Sequence, residues 1–207
     1  MCNSYITVEK GAVSEFVEKK SKFIGYVKPI STENEALTFI NEIKSKHWDA
    51  RHNVYAYAVR KNNVARYSDD GEPHGTAGVP ILEIIKKNAL QNVVVVVTRY
   101  FGGVLLGTGG LVRAYSQAAS SAINSANIVE MNLCYDCSLV CDYNQYGKVG
   151  SIIGDCGGVT DNTDFLDNVR VLFHIKKEKF SGLSKKILEM SSGALQSDIL
   201  RENFYHF

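Results

Sequence analysis

Apolar and polar positions alternate along residues 4–29, where Phe23, Gly25 and Val27 interleave with Ile24 and Tyr26, and this period of two predicts two or three strands. A capping box, Thr32-x-x-Glu35, opens a helix carrying Leu37, Ile40 and Ile43 at helical spacing. Strands are predicted over 53–60 and 64–68, then a helix over 76–88 presenting Ala77, Ile81, Ile84 and Ile85. The strand over 92–98 contains Val93 to Val97 without a polar break, so it must lie inside a sheet covered on both faces. A helix over 109–126 follows, and its Ala114, Ala118, Ala122 and Ala126 allow a close approach to that sheet.

Near Glu130-Met131-Asn132 the pattern changes. Alternating Tyr135, Cys137, Leu139 and Cys141 predict a strand over 134–141, and Asp142 with Gln145 caps a helix carrying Tyr146, Val149 and Ile153. A strand to about Phe165, a turn at Asp167-Asn168 and a period-two strand through Val169, Val171, Phe173 and Ile175 make a hairpin. Ser181 is read as opening a second helix, Gly193 as its C′ glycine, and a short strand ends the series within 195–205. The order is βαββαβ, which is ferredoxin-like. The reading is thus an α+β protein of two domains, 1–130 and 134–207, joined by a short connection.

Composition narrows the class. The chain has 207 residues, is 45% hydrophobic and carries 23 Lys+Arg against 22 Asp+Glu. This excludes a disordered chain and a strongly basic nucleic-acid binder. The charge is uneven: residues 1–133 carry 15 basic and 12 acidic groups and residues 134–207 carry 8 and 10, so an anionic partner is expected on the first part. No apolar run is long enough to span a membrane. The start, Met1-Cys2-Asn3-Ser4-Tyr5, has neither the basic and apolar stretches of a secretory signal nor a myristoylation glycine, which leads to the expectation of a cytoplasmic protein. Five cysteines, four of them within 134–156, are expected to be reduced thiols rather than a disulfide framework.

The most informative segment is Thr98-Arg99-Tyr100-Phe101-Gly102-Gly103-Val104-Leu105-Leu106-Gly107-Thr108-Gly109-Gly110-Leu111-Val112-Arg113, a central strand running through a glycine-rich loop into a helix. Free N–H groups at a helix start, flanked by Arg99 and Arg113, suit an anion such as phosphate. Gly102, Gly103, Gly107, Thr108, Gly109 and Gly110 are the candidate binding positions, although glycines also permit tight helix–sheet packing. A second segment, Asp69-Asp70-Gly71-Glu72-Pro73-His74-Gly75-Thr76, offers three carboxylates for a cation, or Glu72 paired with His52 or His74 for acid–base work. Ordinary turn chemistry with Thr76 as helix cap explains the same residues. His52, Asp69, Asp70 and Glu72 are therefore catalytic candidates beside a reading as a binding protein. His47 to His52 also hold the residues for a catalytic pair, and Lys19, Lys20 and Lys22 with Phe16 and Phe23 mix basic and aromatic groups as a nucleic-acid face does. Cys134-x-x-Cys137 is half a zinc knuckle, but in a strand its side chains point to opposite faces.

Residues 67–80 and 93–113, with D-D-G-E-P-x-G-T-A-G followed by a valine strand and R-Y-F-G-G-V-x-L-G-x-G-G-L-V-R-A-Y, closely resemble the YigZ/IMPACT family. The resemblance implies an N-terminal domain with the fold of the second domain of a small-subunit ribosomal protein and a C-terminal domain like the fifth domain of elongation factor G. Eukaryotic members restrain the general-control stress response by competing for an activator of an initiation-factor kinase. For bacterial members RNA or ribosome binding has been proposed. The resemblance thus implies a translation-linked regulator with RNA, the ribosome or a protein as partner; apart from it, no cofactor and no membrane contact are expected. Some bacterial members carry a proline dipeptidase label, and this chain has no dinuclear-metal ligand set to support one. His74 stands where a serine is common and Val54 where a cysteine is common, so no thiol nucleophile is carried over.

Overall fold

A computed structural model describes residues 3–207; Met1 and Cys2, part of the N-terminal reading, lie outside the described residues. The fold is α+β and divides into two compact units, Tyr5–Glu130 and Met131–Phe207, the latter joined by the first described residues up to Ser4.

The first unit contains β1 (Ser4–Val8), β2 (Ala12–Glu18), β3 (Ser21–Pro29), α1 (Glu33–Lys46), β4 (His52–Val59), β5 (Val64–Ser68), α2 (Gly78–Lys87), β6 (Val93–Tyr100) and α3 (Thr108–Asn124). Its antiparallel sheet has the order β2-β3-β6-β4-β5, which puts the valine strand in the middle. Alternation splits that strand between two cores. Val94 and Val96 pack with Ile24, Tyr26, Ile40 and Ile43 on the α1 side. Val93, Val95 and Val97 pack with Phe23, Ile81 and Tyr115 on the side of α2 and α3. The small residues of α3 are needed there: a β-carbon placed on Gly25 would lie 2.6 Å from the carbonyl oxygen of Ala118, so strand and helix backbones nearly touch. Thr32 caps α1 by accepting the Glu35 N–H at 3.2 Å, and the Glu35 carboxylate reaches back to the Ser31 N–H at 2.8 Å.

Lys19 and Lys20 form the two-residue turn between β2 and β3, with φ of 46° and 67°. Such a turn favours Asn-Gly, and a lysine in the left-handed region costs about 1 kcal/mol. The turn is anchored at its exit by the buried Ser21, whose hydroxyl accepts the Gly102 N–H at 3.2 Å.

The second unit carries β7 (Ile128–Cys141), α4 (Tyr143–Asp155), β8 (Val159–Phe165), β9 (Val169–Lys176), α5 (Phe180–Met190) and β10 (Asp198–Tyr205). The sheet that contains these strands has five, in the order β1-β7-β9-β8 with β10 also pairing β7, and its antiparallel set β10-β7-β9-β8 gives the ferredoxin-like arrangement. Cys137, Leu139, Val171, Phe173 and Ile175 form its core with Val149, Ile153, Leu183 and Ile187 of the two helices. Asp142 and Gln145 close the capping box of α4.

Two boundaries differ from the sequence reading. The strand assigned to 134–141 begins at Ile128, so the change of unit at Glu130 falls inside a continuous strand and not in a loop. The alternation of Val129, Met131 and Leu133 already belongs to the β7 pattern. Helix α5 starts at Phe180 without a side-chain cap, because a 3₁₀ turn over Lys177–Lys179 leads directly into it.

Burial pushes the Cys134 thiol up to about 11 and the Cys137 thiol up to about 12, from an ordinary 9.0. Unfolded thiols lose their protons first, so the unfolded chain binds fewer protons above pH 9 and stability falls from there towards pH 11. The urea midpoint should therefore be lower at pH 10 than at pH 8, and Cys134→Ser with Cys137→Ser should shrink that difference.

Candidate functional site

The acidic turn is held mainly by backbone. Asp69 Oδ1 accepts the Ala77 and Gly78 N–H groups at 3.1 and 2.8 Å, and its Oδ2 accepts the Gly75 N–H at 2.9 Å. Asp69 thus caps α2 from nine residues upstream. Thr76, read as the cap, instead donates its hydroxyl to the Pro73 carbonyl at 2.6 Å. Asp70, with φ of 44°, accepts the Asn53 N–H at 2.6 Å and pairs with Lys44 at 2.8 Å. Both carboxylates are committed to shaping the turn. Asp69→Ala should cost about 2 kcal/mol in urea unfolding, the loss of a cap together with unpaired buried donors. An unchanged midpoint would contradict this role.

Glu72 is different. Its side chain is 4% exposed, and Oε1 accepts Arg99 Nη1 at 2.6 Å and the Tyr115 hydroxyl at 2.8 Å. His52 Nε2 lies 3.7 Å from the same oxygen. The other ring nitrogen, Nδ1, donates to the Asp70 carbonyl at 2.7 Å, which fixes the orientation of the ring. Burial first, and then the Glu72 charge, raises the Tyr115 phenol well above its ordinary value, so Tyr115 remains a donor. Arg99 is buried, lies 5.5 Å from the Phe23 ring and 5.6 Å from the Phe101 ring, donates Nη2 to Ser21 at 3.4 Å and has no partner at Nε.

The glycine loop leads from this pair to α3. Gly102 is required by contact: a β-carbon there would lie 2.0 Å from the carbonyl carbon and oxygen of Lys20. Gly107 takes φ of 71° at the N-cap, and no side chain caps the helix. The first N–H groups of α3 and the positive end of its dipole therefore face outward.

These elements enclose an open cavity of about 490 Å³, lined among others by Arg51, His52, Glu72, Arg99, Phe101 and Thr108. Of the residues picked from sequence, it joins His52, Glu72, Arg99, Gly107 and Thr108. Asp69 and Asp70 support its wall from behind, and Gly102 joins the loop to the lysine turn. Gly103, Gly109 and Gly110 do not line it. Arg113 is exposed, with Nη1 over Gly109, so the two arginines do not converge as the sequence suggested: Arg99 is turned inward to Glu72, while Arg113 stays outside. Sequence reasoning did not single out Arg51, Phe101, Ser21 or Tyr115. The His47 group is separate, on the α1 face: Tyr26 donates to His47 Nε2 at 2.6 Å, Nδ1 donates to the Tyr100 hydroxyl at 2.8 Å, and Tyr100 donates to Asp49 at 3.0 Å. Burial lowers the His47 pKa, which suits this neutral relay. Val54 is fully buried in the core, where a nucleophile would be out of reach. Among the described residues no cluster of His, Cys, Asp or Glu has the arrangement of a metal site, and no helix is long and apolar enough to cross a membrane.

Fold and cavity together define a two-domain α+β protein with a pocket between an acidic turn and a glycine-rich helix start. The Impact N-terminal domain matches residues 19–123, and a domain of unknown function, DUF1949, matches residues 139–194. The chain is 38% identical over 200 residues to the IMPACT family member YvyE of Bacillus subtilis, an alignment covering 96% of this chain and 91% of the relative. It is 33% identical over 181 residues to the IMPACT family member YigZ of Escherichia coli, covering 86% and 89%. A Dictyostelium discoideum protein, Protein IMPACT homolog, is 35% identical over 127 residues, covering 59% of this chain and 35% of that one. Among solved structures, one titled as the crystal structure of a hypothetical protein superposes with a TM-score of 0.63 at 30% identity, covering 98% of this chain and all of the other. The chain belongs to the IMPACT family, in its YigZ-type two-domain form.

Proposed function

We propose that this protein is a translation-linked regulator whose N-terminal domain, 1–130, binds RNA, alone or in the ribosome, while the C-terminal domain, 134–207, serves a separate contact. The observation that carries the reading is the convergence on one open cavity of an uncapped 17-residue helix start, Arg51 and the half-exposed Phe101, with the Lys19-Lys20 turn packed against Gly102 beside it. Cationic groups and helix N–H groups attract phosphate, and an aromatic face stacks a base. The charge division, net positive in the first part and negative in the second, supports an RNA contact on the first.

Titration against ribosomes and rRNA over a range of salt tests this. Arg51→Ala, Arg113→Ala and Lys20→Gly should each weaken binding and flatten the salt dependence by about one phosphate contact. Lys20→Gly should also stabilise the fold by about 1 kcal/mol, because glycine accepts the positive φ. Parent-like binding by all three variants would remove the basis for the reading. A second reading, an enzyme acting on a small phosphorylated ligand, is favoured by His52 Nε2 facing Glu72 in the same cavity. It predicts that His52→Gln abolishes a turnover while RNA binding is unchanged.

A further inference from the structure

We propose that Trp48 is a second base-stacking platform for the strand that meets the cavity, so that the N-terminal domain takes single-stranded and not duplex RNA; this rests on the RNA reading above. Trp48 is the only tryptophan of the chain and is 83% exposed, more than any other large apolar side chain among the described residues. An indole left in water forgoes the burial that usually holds such a ring, so its place in the fold is informative.

The turn that carries Trp48 is pinned on both sides. Before it, His47 takes the Tyr26 hydroxyl on Nε2 at 2.6 Å and reaches the Tyr100 hydroxyl from Nδ1 at 2.8 Å. The His47 carbonyl accepts the Ala50 N–H at 3.0 Å and Asn53 Nδ2 at 3.3 Å. After it, Asp49 accepts the Tyr100 hydroxyl at 3.0 Å. The backbone under the indole is thus tied to β3, β4 and β6, and a ring presented in this way loses little freedom on binding.

Charge and continuity point to the partner. Lys46 and Arg51, both exposed, flank the turn. Burial first, then the Lys46 charge and more weakly that of Lys22, lowers the His47 pKa against the opposite pull of Asp49, so both ammonium groups stand near this turn. The acids beside them are Asp49, held by Tyr100, and Glu15, paired with Lys22 at 2.8 Å. Arg51 also lines the cavity, and Tyr100, which holds the turn, directly precedes Phe101 on the same lining. Three residues span at most about 11 Å, so Trp48 lies within a few nucleotides of a phosphate held by Arg51. Basic groups that track a backbone beside aromatic faces are the arrangement that single strands use. In a duplex each base face is covered by the next pair, and two separate rings have nothing to stack. A protein is the competing occupant of an exposed tryptophan.

The test uses the full chain with its single tryptophan as reporter. At low salt an oligouridine octamer should quench the Trp48 emission, and a stable RNA duplex should leave it unchanged. In fluorescence anisotropy with a labelled octamer, Trp48→Ala should weaken binding about tenfold and Trp48→Phe should keep most of the affinity. Neither change should alter thermal melting, because the side chain stands in solvent. Parent-like octamer binding by Trp48→Ala, with Arg51→Ala still weakened, would overturn the platform and leave the RNA reading standing. Equal quenching by the duplex would overturn the single-strand preference. Loss of ribosome binding by Trp48→Ala with octamer binding intact would overturn the platform in favour of a protein contact. Failure of the parent to bind either the octamer or ribosomes would overturn the RNA reading as well.

Discussion

Arg99→Ala should destabilise the protein by about 3–5 kcal/mol, the cost of leaving a buried carboxylate without its cation. Glu72 is 4% exposed and would keep only the Tyr115 hydroxyl as a close donor, at 2.8 Å. The same change removes the guanidinium from between the Phe23 and Phe101 rings and frees Ser21, which also holds Gly102. If uncompensated charge is the main cost, Arg99→Ala with Glu72→Gln should be more stable than Arg99→Ala alone, and urea unfolding of the cycle measures the difference. A loss below about 1 kcal/mol would show that the pair is solvated and that the cavity wall is not built on it.

Gly102→Val should be the most damaging change in the glycine loop, at about 3 kcal/mol or more, because its β-carbon would lie 2.0 Å from the Lys20 carbonyl and backbone would have to move. Gly103 has φ of 82° but open space around it, so Gly103→Ala should cost about 1 kcal/mol. Gly109 sits in helix with nothing closer than Arg113 Nη1 at 3.8 Å, and Gly109→Ala should be neutral or stabilising. Thermal melting of the three variants gives the order, and Gly109→Ala ranking below Gly102→Val would contradict it.

Much of the fold was legible because its signals are local. The unbroken valines 93–97 require a strand covered on both faces, and the small residues of α3 announce its approach to Gly25. Capping boxes at Thr32 and Asp142 mark helix starts from four residues each. The misreadings have physical causes too. Glu130 and Asn132 looked like a polar connection, yet they are the exposed or half-exposed positions of an alternation that begins at Val129. The cap of α2 comes from Asp69, outside the short window in which a cap is sought.

The site was legible in part. Its loop and turn stand out as glycines and acids, but their meeting depends on Arg99 reaching Glu72 across 27 positions, and on Tyr115 reaching it across 43. Charge alone suggested that Arg99 and Arg113 act together. Burial separates them, since an arginine beside a buried glutamate serves that partner first. Arg51 carries no motif of its own, and Phe101, although part of the R-Y-F-G-G run, is distinguished from its neighbours only by the cavity that it lines with Arg51.

Ultraviolet crosslinking of the full chain to single-stranded RNA, followed by mass spectrometry of the crosslinked peptides, decides whether this cavity is where the protein holds RNA. A nucleotide should be found attached within residues 99–113, at Phe101 above all, with the crosslink weakened by Arg51→Ala. Crosslinks confined to residues 134–207, with none in the glycine loop, would contradict it.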